Sequence, residues 1–309
     1  MDVNIVRFDG KPLEKLVEVV SKGIGTLYQP RAIRKKAEAD AYAFKVMEAA
    51  KAEAEAHGDL VRASTLKTIN ERLVAKEIQR QNNIDDVVDL AAQQLNTIEK
   101  VSDEKVNKDW TTRFFDTVQD ISDREMKLLW SKILAGEIQK PKSYSLRTLD
   151  LLKNMSTEEA NLFIKVCNYA FVDFNVNTYV CKFDDILSKY EFKYVDFLQL
   201  VDAGLIQADT SLRVSYSTGN CDSDTLIQYN NILINMRLKA SSSSVSFPVW
   251  IFTQVGKELY NMVDIDKSNI DYLREVADKI TRMHSPNVNF LFVNRDKAPC
   301  KFVSDLNEL

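Results

Sequence analysis

The residues of this chain that could do chemistry are few. Zinc needs Cys and His at short spacing, but no two of Cys167, Cys181, Cys221 and Cys300 form a CxxC pair, and His57 and His284 are the only imidazoles. A serine nucleophile needs one of those imidazoles as its base. His57 falls at a helix turn and His284 just before Ser285-Pro286, and neither context is a nucleophile elbow. There is no Walker loop and no GxGxxG, and the serines at 241–244 read as a loop tip rather than a phosphate cradle. Glu137 and Arg147, on either side of Pro141, remain. If they converge on a cleft, they are a binding or catalytic pair. If they are buried in a helical turn, they are an architectural ion pair, or Arg147 bonds the carbonyls of a helix end; the architectural reading is favoured. The expectation is a protein with no catalytic residues, no metal and no cofactor.

The elements around these residues are mostly helical. Between Arg31 and Lys140 there is no proline, and the only glycines are Gly58 and Gly136. Proline breaks helix interiors and glycine weakens them, so such a span predicts helix almost throughout. Leu13, Leu16, Val17, Val20, Ile24, Leu27 and Tyr28 recur at helical spacing and form one apolar face, which Pro30 ends. An Ala-rich helix is expected over 31–57, about 40 Å long at about 1.5 Å per residue. Gly58-Asp59 turns it into a return helix over 60–81, making an αα-hairpin. A separate helix is expected over 84–99, and another start at Ser102-Asp103-Glu104, with Trp110, Phe114, Val118 and Ile121 as its stripe. Ser122 with Glu125 reads as a capping box opening a helix that Pro141 closes; Ser143 or Ser145 caps the next, and Ser156 with Glu159 is a second box.

Beyond residue 170 the period changes. Short helices are expected over 183–190 and 194–203, then a strand over 205–208. Strands over 231–239 and 245–253 should pair as a hairpin across the serine tip, followed by helices over 254–263 and 268–283 and a last strand over 288–293. Three helices and a hairpin are the order of a winged helix. The expected class is mainly α: an N-terminal helical hairpin or bundle, then a winged-helix-like α+β C-terminal domain. The expected divisions are residues 1–105 (amphipathic helix and long hairpin), 106–155 (a helical signature region packing on the body) and 156–309 (the winged-helix-like domain).

The signature region carries a resemblance. Leu128-Leu129-Trp130-Ser131-Lys132-Ile133-Leu134-Ala135-Gly136-Glu137-Ile138, followed by Pro141, Ser143, Ser145, Arg147, Thr148 and Leu149, resembles a bacterial domain-of-unknown-function family, number twenty-eight-oh-six. Gly23-Ile24-Gly25, Tyr28, Pro30, Arg80-Gln81-Asn82-Asn83-Ile84, Asp109-Trp110 and Phe114-Phe115 fit it as well, so the likeness covers residues 13–163. Lys142 departs from it, since a glycine is expected after the proline. The family brings no activity with it; related gene arrangements imply a role in phage defence. Read physically, Trp110, Trp130, Gly136, Glu137, Pro141 and Arg147 are structural: the indoles and Ile133 fill a core, Gly136 admits a close helix, and Pro141 stops one.

Charge then sorts the functional readings. The 309 residues carry a net charge of -4, so composition does not point to wholesale nucleic-acid binding. The distribution is uneven: residues 11–80 are net +4 and residues 81–130 net -5, which favours folding back on itself, contact between subunits, or a basic end on an anionic surface. Leu13, Leu16, Val20 and Ile24 with Arg31, Arg34, Lys35 and Lys36 form an apolar face with a basic flank. This is a membrane-surface or partner contact on one reading and a helix docked on its own bundle on the other. Docking is favoured, because Glu14 and Glu18 disfavour anionic lipid. For nucleic acid the candidate contacts are Lys189, Lys193, Arg237 and Lys239. The helix expected to recognise bases, 194–200, holds Asp196 and no basic residue, so protein contact is the better reading.

The start of the chain has no basic and apolar leader, and no apolar run approaches the roughly 18 residues of a membrane span. The expected setting is therefore the cytoplasm, or the periphery of the inner membrane. The function expected is that of a non-enzymatic interaction or scaffold protein, a homo-oligomer with a protein partner. The alternatives are a nucleic-acid-binding regulator and a peripheral membrane factor in defence.

Overall fold

The structure is a computed structural model that describes residues 10–30, 60–98, 100–217, 222–239, 244–265, 268–284, 288–296 and 302–306. The chain divides into two compact units, Met1–Leu149 and Asp150–Leu309.

In the first unit, Pro12 near the start and the left-handed Gly25 (φ 77°) at the end delimit helix α1 (Lys11–Ile24). Its partners are α2 (Leu60–Leu95), α3 (Lys108–Val118) and α4 (Arg124–Gln139); the division between units falls inside α5 (Leu146–Asn154). α2 has 36 residues and runs about 54 Å at about 1.5 Å per residue. Two helices meeting at Asn82-Asn83 were expected, and one continuous helix is found. The Asn83 amide donates to the Gln119 carbonyl (2.8 Å) at the end of α3, so it does not compete for its own backbone. α3 begins later than expected, with Asn107 accepting from the amides of Asp109 and Trp110. The cap of α4 is Asp123, not Ser122: its carboxylate accepts from the Met126 amide at 2.9 Å. The core gathers Leu13, Leu16 and Val20 of α1, Val87, Val88 and Leu95 of α2, and an aromatic cluster. In that cluster Trp110 stacks on Phe114 (5.0 Å between centroids) and Phe114 meets Trp130 edge-on (5.3 Å). At Gly23 a Cβ would lie 2.1 Å from the Phe115 ring, so α1 crosses α3 at the one residue type that allows it. The hairpin arm expected over 31–57 lies outside the described residues.

The second unit corrects the expected class. It is not a mainly α, winged-helix arrangement. It holds one seven-stranded sheet in the order β3-β6-β2-β1-β4-β5-β7, every neighbouring pair antiparallel. The strands are β1 (Phe171–Asp173), β2 (Thr178–Cys181), β3 (Arg213–Tyr216), β4 (Ser223–Tyr229), β5 (Ile232–Leu238), β6 (Val245–Ile251) and β7 (Val288–Asn294). The helices are α6 (Thr157–Cys167), α7 (Asp184–Leu187) with a 3-10 turn (Ser188–Tyr190), α8 (Tyr194–Asp202), α9 (Gln254–Tyr260) and α10 (Ile270–His284). Ser156 and Glu159 form the expected capping box on α6.

β5 and β6 exist as read but are not a hairpin. β5 lies between β4 and β7 (Asn235 opposite Leu226 and Leu291), and β6 between β2 and β3 (Val180 opposite Trp250). The tight hairpin is β4–β5, closed by Asn230-Asn231 with Asn230 at φ 51°, a conformation asparagine tolerates. Residues 205–208 contribute only a bridge between Ile206 and Phe252. α10 lays Leu273, Val276 and Ile280 on Ile227, Ile234, Met236 and Phe292, with only about 20 Å³ of free space between them.

Gly256 locks α9 onto the chain at Leu205. Helix propensity alone would favour Gly256→Ala by about 1 kcal/mol. A Cβ there would stand 2.2 Å from the Leu205 carbonyl oxygen, which is backbone and cannot swing away. Overpacking of about 1–3 kcal/mol or more outweighs propensity. A urea titration of Gly256→Ala should therefore show a loss of about 2 kcal/mol; a gain would mean that α9 does not sit where described.

Candidate functional site

Glu137, at the end of α4, is 2 % exposed. Its carboxylate accepts the amide of Lys142 (2.6 Å) on Oε1 and that of Tyr144 (3.1 Å) on Oε2. Charge-assisted bonds of this kind offset the cost of burying the anion and tie down the turn after Pro141. Lys142 stands at φ 71°, the conformation in which a glycine was expected, and its ammonium pairs with Glu104 at 2.5 Å. Tyr144 folds back over the helix: a Cβ on Gly136 would lie 2.9 Å from its ring. Gly136 thus makes room for an aromatic ring rather than for a second helix. Arg147 does not converge on Glu137; it is exposed on α5. The Glu137–Arg147 pair is not formed; the carboxylate is met by backbone amides instead.

The same economy runs through the rest of the unit. Lys15 points its ammonium at three carbonyls, Ser102 (2.8 Å), Glu104 (2.8 Å) and Ile138 (3.0 Å). Burial pulls its pKa below the ordinary lysine value, against the carboxylates of Asp103, Glu18, Glu104 and Glu137. Arg80 grips Asp120 through Nε (2.8 Å) and Nη2 (3.2 Å), and Lys127 meets Asp86 at 2.8 Å. Tyr28 donates its hydroxyl to the buried Asp85 at 3.1 Å. The motif residues of the middle of α2 therefore join helices to turns.

The apolar face of α1 is inside its own unit: Leu13, Leu16 and Val20 are fully buried and Ile24 is half-buried. That face cannot lie on a membrane while the unit is folded. The basic residues read with it, Arg31, Arg34, Lys35 and Lys36, lie outside the described residues. Of the cations read for nucleic acid, Lys189 pairs with Glu275 (2.5 Å) and Arg237 with Asp224 (3.0 Å). Lys193 is exposed beside Asp196, whose carboxylate takes its backbone amide, and Lys239 is exposed but not without a partner. Two of the four are thus engaged in ion pairs.

Cys167 and Cys181 are free and buried, and burial pushes both thiols well above the ordinary range. His284 faces the Ser246 carbonyl at 3.2 Å. His57, Cys221 and Cys300 lie outside the described residues. Among the described residues no three His, Cys, Asp or Glu side chains gather as a metal site would require, and no helix is long and apolar enough to cross a membrane.

One feature did not emerge from the sequence reading. The stripe that buries Ile84, Val87, Ala91 and Leu95 continues up α2 through Leu73 and Ile69, which are exposed. From 68 to 82 no residue of α2 is buried. Ile69, Leu73 and Ile78 are 40 %, 50 % and 45 % exposed. The spacing could have signalled this face, which lies within the return helix expected over 60–81.

A four-helix core with an exposed helical arm, joined to a seven-stranded antiparallel unit, is the class of protein that these elements define. A family model described as a protein of unknown function, DUF2806, matches residues 67–277, well over half of the 309. The chain belongs to this family. The match runs well past the signature region and takes in strands β1 to β6 of the second unit. No curated protein and no solved structure matches the chain.

Glu137 and Arg147 should separate cleanly in mutagenesis. Each amide bond to a charged acceptor contributes about 1.5–3 kcal/mol, so Glu137→Ala should lower unfolding free energy by about 3 kcal/mol or more. Arg147→Ala should stay within about 0.5 kcal/mol, as exposed substitutions do. Equal losses in denaturant titrations would restore the paired reading.

Proposed function

We propose that this is a non-enzymatic interaction protein of the cytoplasm that self-associates through its helical unit, using the exposed apolar side chains of the first half of α2. The observation that carries this reading is the exposure of Ile69 and Leu73 on a helix whose other half buries Ile84, Val87, Ala91 and Leu95. An apolar stripe that continues past the edge of its own core favours a further contact. Among the described residues, the ion pairs of Lys189 and Arg237 and the buried face of α1 weigh against nucleic acid and lipid as partners.

The magnitude is modest. Burying the exposed part of each side chain recovers on the order of 1 kcal/mol, and a two-fold assembly counts it twice. The cost of association is about 4–15 kcal/mol, so the contact is weak and concentration-dependent unless neighbouring residues add to it. Light scattering from the micromolar to the submillimolar range should show a mass rising above that of one chain. Leu73→Glu with Ile69→Glu should hold it at one chain, with the thermal midpoint unchanged. A wild-type mass of one chain at every concentration would defeat the proposal.

A further inference from the structure

The second unit has a polar cleft of about 520 Å³ at the β4–β5 turn, the end of β7 and the segment after α9. Two short chains of hydrogen bonds organise its lining. In one, Ser268 donates to Asn231 Oδ1 at 2.5 Å, and Asn231 Nδ2 donates to Asp296 Oδ2 at 2.6 Å. In the other, Arg295 Nη1 donates to Gln228 Oε1 at 3.3 Å, and Gln228 Nε2 donates to the Asn230 carbonyl at 2.9 Å. Arg295 and Asp296 are consecutive and opposite in charge, yet each is held by a neutral amide instead of by the other. Among the described residues this leaves Asp296 Oδ1 as an unused acceptor and the Nε and Nη2 groups of Arg295 as unused donors. Tyr260 and Asn261 lie in the same lining with no side-chain hydrogen bond. Desolvation pushes the Tyr260 phenol up to about 12, so it stays a neutral hydroxyl, able both to donate and to accept.

This valence pattern selects a ligand. A guanidinium beside a carboxylate gives no net attraction to an anion or a cation. It suits a group that donates and accepts at once, which a hydroxyl does: it accepts from Arg295 while donating to Asp296, and the two bonds strengthen each other. Two adjacent hydroxyls can share one carboxylate. The free amide of Asn261 and the Tyr260 phenol offer the same dual chemistry. The volume lies within the range of small-ligand sites.

We propose that this cleft binds a sugar ring through adjacent hydroxyls, with Asp296 accepting and Arg295 donating. The ring could belong to a free saccharide or be the ribose of a nucleoside. Saturation-transfer NMR on the full chain tests this, with glucose, galactose, N-acetylglucosamine, adenosine and 2′,3′-dideoxyadenosine each at millimolar concentration. Transfer to the ring protons of a saccharide, or to adenosine but not to its dideoxy analogue, is the expected result, and it assigns the source. Asp296→Ala and Arg295→Gln, both at exposed positions, should each weaken the signal several-fold while the thermal midpoint holds. Transfer to none of the five compounds, transfer equal for adenosine and its dideoxy analogue, or transfer unaffected by both variants would each overturn the proposal.

Discussion

A buried anion must be met by donors, and the first unit is organised around one that is. The Glu137 carboxylate sits at the end of α4, where helix carbonyls already concentrate negative charge and make a carboxylate unwelcome. It persists because the chain turns immediately and brings two backbone amides onto it. Meeting that demand fixes the rest of the turn. Lys142 must take a left-handed conformation, at a cost of about 1–2 kcal/mol for a residue with a side chain. Tyr144 lies against the helix, where a Cβ at 136 would force its ring to shift. The exit direction of the chain into α5 follows from these three conditions together. The signature residues are therefore one device, and substituting one of them changes what its neighbours must do.

The helical elements were legible because their signals are local. Ser156 and Glu159 cap α6 as three-residue spacing says they should, and Leu13, Leu16 and Val20 find the core because helical periodicity needs no knowledge of the partner. The errors have physical causes. Ser122 with Glu125 has the form of a capping box, but Asp123 is the stronger acceptor and begins the helix one residue later. Asn82-Asn83 resembles a break because asparagine usually serves its own backbone, whereas here Asn83 serves a neighbouring helix end.

The sheet was the least legible part. β1 and β2 have three and four residues, too few for any period to show. They contribute little patterning of their own yet join the two halves of the sheet, so missing them leaves β5 and β6 looking like each other's partners. Strand pairing is decided by non-local contacts, and adjacency in sequence is only a default. The Asn230-Asn231 turn was a local signal for the true hairpin, of the type asparagine favours. The residues before it, which form β4, were given no strand in the sequence reading, so the strand after the turn lacked its true partner.

Exposure and satisfaction of polar groups separate architecture from surface. Several charged residues of the first unit are consumed internally: Arg80 by Asp120, Lys127 by Asp86, Lys15 by three carbonyls. A group whose valences are filled by its own chain has little left for a ligand, however prominent its motif. The converse holds for Ile69 and Leu73, which belong to no motif and continue a stripe that is buried lower on the same helix. It holds too for Arg295 and Asp296, a charge pair that did not close on itself. Binding requires unsatisfied groups in a fixed arrangement. Sequence alone shows which groups exist; which remain unsatisfied depends on where the rest of the chain places its own carbonyls and amides.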